Sequence, residues 1–326
     1  MRTYLLPEHG NFYKVNMHSH STLSDGKQTP EELKEIYKAK GYSAIAYTEH
    51  TRLHDVTHLN DDEFIAITSY EIDFLDDTRT PFCFAETPLE HAHMEAVHMN
   101  LYARDPHNAT PIEVKDLEME FSIENLNEAV RRAREAGFFV IYNHPHWSMN
   151  AYPLYTNLKG VQGLEIINGA SHRASDLDYA PHVYDEMIWS GQRLICVGGD
   201  DNHDVRHFFQ AWTVMKADEL TQEALLGAMD AGNCYASTGP EIYELYTDEE
   251  NGERTVTIRT SPAVGIYCST ATRRRYHKLM DDNGNVLLTE ATFKIRPNDF
   301  CFRLTVRDER GNHANTRMFF LDEFKA

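Results

Sequence analysis

Between residue 13 and about residue 236 the chain alternates short apolar runs with amphipathic stretches. The runs YKVNMHSH, SAIAYTEH, FIAITSYEID, AVHMNLYA, FFVIYNHP, GLEIING, RLICVGGD and AWTVMKA are rich in β-branched and aromatic residues, which predicts strands. TPEELKEIYKAKG predicts a helix. Thr29 is its N-cap, Pro30 its first residue and Glu32 the return half of a capping box. Leu33, Ile36 and Tyr37 form its buried stripe, and Gly41 ends it. SIENLNEAVRRAREAG, ended by Gly137, predicts a second helix, and others follow near 178–190 and 221–231. Repeated β-then-α units imply a parallel sheet with crossover helices, open or closed into a barrel. Beyond STGPE the helical period stops. ERTVTIRT, AVGIYCST, RRRYHKLM, VLLTEATFKI, DFCFRLTVR and NTRMFFLDEF read as strands, with DNGN and ERGN as hairpin turns. The pattern divides the chain into an α/β unit over 1–240 and a small all-β, sandwich-like domain over 241–326, docked on the first.

The polar residues that interrupt this pattern cluster at strand ends. His18 and His20 close the first run, where strand alternation turns both toward one side. Asp25 follows on the next loop, His50 closes the second run, and Glu71 lies near the end of the third. His98 lies within the fourth, His144 ends FFVIYN, and Asp201 and His203 follow RLICVGG. In a β/α barrel the C-terminal strand ends meet at one face, so one metal site accounts for residues that otherwise need separate explanations.

Charge narrows the partners. The net charge is −20, from 51 acidic and 31 basic residues, which disfavours nucleic-acid backbones and anionic membranes. No run approaches the roughly 18 apolar residues of a membrane span, and MRTYLLPEHGNFYK lacks the apolar core of a secretory signal. Five scattered cysteines without a CxxC pair suit reduced thiols, so the expected location is the cytoplasm. Eighteen histidines, by contrast, exceed what surface or core composition calls for.

With these residues assembled, the sequence resembles the polymerase and histidinol phosphatase (PHP) family of metal-dependent phosphoesterases. HSHSTLSDG resembles its first motif and supplies His18, His20 and Asp25; YTEH resembles the second and supplies His50. NHPH resembles the third, with His144 first, and GDDNH the fourth, with Asp201 and His203. Glu71 of SYEID fits the family's bridging carboxylate. The family pattern wants one more histidine, for which His91, His93, His98 and His107 are available; the apolar strand context selects His98. The all-β tail, AWTVMKA and CYASTGPEI resemble the carbaryl-hydrolase-like branch.

The resemblance implies a distorted (β/α)7-type barrel and three divalent metal ions. His18, His20, Glu71 and Asp201 would hold the first ion, Glu71, His98 and His144 the second, and Asp25, His50 and His203 the third. Six imidazoles and three carboxylates suit Zn, Mn or Fe rather than Ca or Mg. The implied enzyme is a metal-dependent hydrolase that cleaves a small phosphate mono- or diester by a metal-bridging hydroxide. The same centre could instead cleave an ester, carbamate or amide, or survive as a non-catalytic metal-binding module. Candidates for assisting the leaving group are His207 and Arg206 after the fourth motif, and His172 and Arg173 in NGASHRAS; ordinary surface roles compete for all four. Trp147 reads first as packing, and Arg273, Arg274 and Arg275 as a solvated strand face. The oligomeric state, the substrate and the native metal are not specified by the sequence.

Overall fold

A computed structural model describes residues 1–75, 96–112, 121–272 and 275–324. Cys83, His91, His93, Arg273 and Arg274 therefore lie outside the described residues. In chain order the first half contains β1 (Arg2–Tyr4), β2 (Asn11–Asn16), α1 (Pro30–Lys38), β3 (Ala44–His50), β4 (Ile65–Leu75), β5 (Ala96–Ala103), α2 (Ile123–Glu135) and β6 (Phe138–Tyr142). There follow α3 (Tyr152–Asn157), β7 (Gly163–Asn168), α4 (Gly169–Ser175), α5 (Pro181–Trp189), β8 (Ile195–Gly199), β9 (Trp212–Ala217), α6 (Gln222–Ala231) and β10 (Cys234–Ser237). The remainder is β11 (Ile242–Glu250), β12 (Glu253–Ala263), β13 (Gly265–Thr270), β14 (Arg275–Lys278), β15 (Leu288–Ile295), β16 (Cys301–Arg307), β17 (His313–Thr316) and β18 (Phe319–Phe320).

Local chemistry explains the helices. The Thr29 hydroxyl accepts the Glu32 N–H at 3.2 Å while the Glu32 carboxylate accepts the Thr29 N–H at 2.9 Å, so α1 starts on the expected capping box. Ser122 caps α2 and Thr221 caps α6 in the same sense. Buried Leu33 and Tyr37 face the core from α1, as Leu126, Ala129, Val130 and Ala133 do from α2.

The fold is mixed α/β, with one large mixed sheet and a separate antiparallel sheet. The large sheet runs β14-β13-β16-β17-β10-β9-β2-β3-β4-β5-β6-β7-β8, with β18 on β16. The purely parallel sheet expected from the β-then-α pattern is corrected here. β2–β3–β4 and β6–β7–β8 are parallel, but β5 is antiparallel to both β4 and β6, and β9 is antiparallel to β2.

The strip from β2 to β8 curls so that its far edge meets its near one. Gly198 N–H donates to Thr213 Oγ1 at 2.9 Å, Asp200 N–H to Asn16 Oδ1 at 2.8 Å, and Asp201 N–H to the His18 carbonyl at 2.8 Å. Side-chain and loop bonds, rather than a continuous ladder, join these edges.

The second sheet has the order β1-β11-β12-β15. An apolar layer packs it against the C-terminal strands of the large sheet, joining Leu245, Val256, Ile258 and Phe293 to Ile266, Phe302, Leu304 and Val306. Two ladders cross residue 240, since β1 pairs with β11 and β10 with β17. A buried ion pair ties the regions further, with Arg303 on β16 donating to Asp185 on α5 at 2.7 and 3.1 Å.

Candidate metal centre

The loop after β2 carries the first ligand candidates. The strand expected to include His18 and His20 ends at Asn16, so simple alternation does not place these two imidazoles. They are placed instead by the Asp201 N–H bond to the His18 carbonyl and by the His20 N–H bond to the Asn202 carbonyl at 3.1 Å. Gly199 makes that approach possible, because a Cβ there would lie 2.6 Å from His18 Cβ and 2.7 Å from its backbone nitrogen. Both imidazoles are buried, with ring centroids 5.2 Å apart.

Sheet register brings the other groups to this point. Parallel pairing sets His50 opposite Glu71. Antiparallel β5 presents its beginning, not its end, at the same face, and there His98 lies opposite Asp73, two residues beyond Glu71. Glu71 is the hub. Its carboxylate lies 3.4 Å from His18 Nε2, 3.5 Å from His20 Nε2, 3.3 Å from His50 Nδ1, 3.2 Å from His98 Nδ1 and 3.3 Å from His144 Nε2. Asp201, in a left-handed conformation at φ 50°, brings Oδ1 to 3.4 Å from His18 Nε2 and 3.1 Å from His20 Nε2. Asp25 lies 3.8 Å from His50 and 3.4 Å from His203, on the exposed side of the cluster. All nine side chains expected from the sequence thus converge.

Among the described residues they form three overlapping groups whose ligand atoms lie within 4.8 Å of one another: His20, Asp25, His50 and His203; His18, Glu71 and His144; His18, His20 and Asp201. His98 stands outside these groups, its Nδ1 3.2 Å from Glu71. The donor set fits a divalent metal on one further observation. His18 Nε2 and both ring nitrogens of His20 are buried and, among the described residues, make no well-aligned hydrogen bond although carboxylate oxygens lie 3.1–3.5 Å from the two Nε2 atoms, an arrangement suited to a cation that uses their lone pairs.

Electrostatics points the same way. Burial opposes charge on His18, but Asp201, Glu165 and Glu71 outweigh it and raise the imidazole well above its ordinary range. Burial likewise opposes charge on His144, yet Glu71 beside it raises the pKa to about 9. Burial favours the neutral acids at Glu71 and Asp201, but the histidines hold both well below the usual carboxylate range. These carboxylates demand cations, either protons on the histidines or metal ions in their place.

Glu165, overlooked in the sequence, organises the wall of the site. This buried residue of β7 accepts His18 Nδ1–H at 3.0 Å on one oxygen, and the His144 N–H at 3.3 Å and Asn168 Nδ2 at 2.9 Å on the other. Because a carboxylate can only accept, it fixes the proton of His18 on Nδ1 and turns Nε2 toward the cluster. Its signal was a single charged residue inside the apolar run GLEIING. Glu49 of YTEH serves the opposite wall: buried, it accepts Ser21 N–H at 3.1 Å and both the Ser21 and Ser24 hydroxyls, fixing the loop that carries Asp25.

The four leaving-group candidates separate. His207 is half-buried, its Nδ1 accepts the His203 N–H at 3.3 Å, and the two rings are 6.3 Å apart. Arg206 instead donates to Asp204 at 2.9 Å through Nε, and its side chain is 73% exposed, so it is already neutralised. His172 and Arg173 lie exposed on α4, and Arg173 reaches Gln210 at 3.5 Å. Trp147 packs at the cluster's edge, its ring 5.6 Å from that of His98 and 5.2 Å from that of His144.

No helix of the described residues is long and apolar enough to cross a membrane. Cys196, Cys234, Cys268 and Cys301 are free and buried.

No family model matches the chain, and no curated protein does. Among solved structures it is similar to a two-domain protein from Bacteroides vulgatus containing a predicted PHP-like metal-dependent phosphoesterase, at 15% identity and a TM-score of 0.46, over 98% of this chain and 97% of that one. It is also similar to an amidohydrolase from Chromobacterium violaceum with bound sulfate and no metal, at 16% identity and a TM-score of 0.37, over 59% of this chain and 88% of that one.

Proposed function

We propose that the protein is a metal-dependent hydrolase that cleaves a small phosphate mono- or diester at a trinuclear centre. The carrying observation is the buried cluster of histidine nitrogens that face the carboxylates of Glu71 and Asp201 without well-aligned hydrogen bonds among the described residues. The curl of β2 to β8 supports reading these strands as a distorted (β/α)7-type barrel that carries the site within residues 1–240, with residues 241–326 as an all-β companion. Free buried cysteines fit a reducing cytoplasm.

His18, His20, Glu71 and Asp201 would hold one ion, Glu71, His98 and His144 a second, and Asp25, His50 and His203 a third, each of them Zn, Mn or Fe. Such ions supply Lewis acidity and lower the pKa of water. The chain's own residues then have distinct tasks. Glu165 keeps His18 in the tautomer with Nε2 unprotonated, and Ser148 Oγ, 3.1 Å from His144 Nδ1, orients that ring. The more exposed groups, Asp25, His50 and His203, form the side from which a phosphoryl group would enter. Of the four candidates, His207 is the one we assign to the leaving oxygen. Its Nδ1 accepts a hydrogen bond, so the neutral ring carries its hydrogen on Nε2 and would offer the leaving oxygen a hydrogen bond while that oxygen takes its proton from water.

The test is a substrate panel with manganese-supplemented protein: p-nitrophenyl phosphate, nucleoside monophosphates and p-nitrophenyl acetate. Turnover of phosphoesters, lost with His144→Ala in a folded variant, supports the reading. Turnover of the acetate alone moves the chemistry to ester, carbamate or amide bonds, and activity unchanged in His144→Ala overturns the site.

A further inference from the structure

Trp147 joins an exposed side chain to a firmly held backbone beside the cluster. Its side chain is among the large apolar groups left exposed, at 50%, as is Met149 of the same turn at 54%. Yet its backbone is firmly held. The His146 and Trp147 N–H groups donate to the two oxygens of Asp178 at 2.8 and 2.9 Å, and Asp178, itself 1% exposed, also accepts the Ser171 hydroxyl at 2.7 Å. The same loop is pinned by Asn150 Nδ2, which donates to the Ala96 carbonyl at 2.7 Å, and by Ala96 N–H, which donates to the Ser148 carbonyl at 3.2 Å. The turn is therefore fixed, and from it the indole reaches half into water, nearly perpendicular to the rings of His98 and His144 at 76° and 85°.

Packing against the two histidines occupies one edge of the ring and leaves the rest of it open beside the cluster. Holding those two histidines in place needs only the edge that touches them. A fixed indole with an open flank costs little entropy when it receives a ligand, and it offers a π-surface within one ring's width of the metal-binding side chains.

Building on the hydrolase reading above, we propose that Trp147 is a stacking platform and that the natural substrate carries a planar aromatic or heteroaromatic ring beside the scissile group. The ring lies along the indole while the reacting group sits at the cluster. Trp147 is then a specificity-determining residue: it selects what is attached to the scissile bond, not the bond itself.

Calorimetric titration of the manganese-supplemented protein with phenylphosphonate and methylphosphonate isolates the ring, since neither is hydrolysed. The wild type is expected to bind the phenyl compound about 5- to 150-fold more tightly, which corresponds to the roughly 1–3 kcal/mol of aromatic stacking at about 1.4 kcal/mol per factor of ten. Trp147→Ala should erase that preference, Trp147→Phe should keep most of it, and manganese affinity should be the same in all three proteins. Equal affinities in the wild type overturn the proposal. So does an equal loss of both phosphonates together with manganese in Trp147→Ala, which would mark the indole as a support for His98 and His144. If neither phosphonate binds but p-nitrophenyl acetate is turned over, the phosphoester reading fails by itself. The platform is then read from KM for phenyl acetate against ethyl acetate in the same variants: a KM ratio that Trp147→Ala leaves unchanged overturns it, and a ratio that collapses supports it. Protein that neither binds the phosphonates nor cleaves the esters overturns both.

Discussion

Replacing Glu165 with glutamine changes almost no volume and removes one charge from the wall of the cluster. In the native protein one oxygen serves His18 Nδ1–H at 3.0 Å, while the other receives His144 N–H at 3.3 Å and Asn168 Nδ2 at 2.9 Å. All three partners are donors. A glutamine can keep an oxygen on one side only, so its amide N–H group must face a donor on the other. The conflict is buried, with Glu165 1% exposed, and should cost about 1–3 kcal/mol of stability. The larger effect is on metal binding. His18 loses the anion that fixes its tautomer, and loss of such a partner to a ligating histidine typically costs 10- to 100-fold in metal affinity, or about 1.4–2.7 kcal/mol. Competition for Zn²⁺ against a chromophoric chelator at constant pH measures this directly, with circular dichroism as the check on folding. A variant that is folded and binds Zn²⁺ within twofold of the wild type would refute the argument that Glu165 holds His18 for a metal.

Three further outcomes follow from the geometry. Arg303→Met removes the 2.7 and 3.1 Å bonds to buried Asp185 and leaves it only the half-exposed Arg275 at 3.7 Å, so the protein should lose about 3 kcal/mol in urea unfolding; adding Asp185→Leu should restore much of that, and no change in the single variant refutes it. In metal-free protein the folded His144 pKa of about 9 exceeds its ordinary 6.5, so its contribution to stability is complete below about pH 6.5 and is lost as pH rises through about 9. The urea midpoint of chelator-treated protein should contain that alkaline decline, and the decline should shrink in His144→Gln; identical pH profiles would contradict it. Gly26→Ala would place a Cβ 2.2 Å from the His20 carbonyl oxygen, forcing backbone to move in the loop that carries Asp25, so about 1–3 kcal/mol of stability and some bound metal should be lost together. Wild-type stability and metal content in this variant would show that the loop has room.

Much of the scaffold was readable because its local signals agree with its tertiary roles. The Thr29 capping box, the helix over SIENLNEAVRRAREAG and the bounds of AVHMNLYA all appear in the structure as the pattern implies. What local pattern could not carry was strand direction. An apolar run such as β5 reads the same whether it pairs parallel or antiparallel, and β1, three residues long, is defined only by its pairing with distant β11. The short helices α3 and α4 escaped because they are too brief to show a period. At the site, residue type and spacing revealed the nine candidate ligands, whose convergence depends on register. Glu165 was missed because one acid in a strand gives no periodic signal, although such a charge has to be compensated when buried.

The most direct test is a crystal of the protein grown with manganese, with anomalous differences collected at the manganese edge. The account predicts peaks among the side chains of His18, His20, Glu71, His144 and Asp201, and between Asp25, His50 and His203. An anomalous map that is featureless there, with those side chains bonded only to one another and to water, would contradict it.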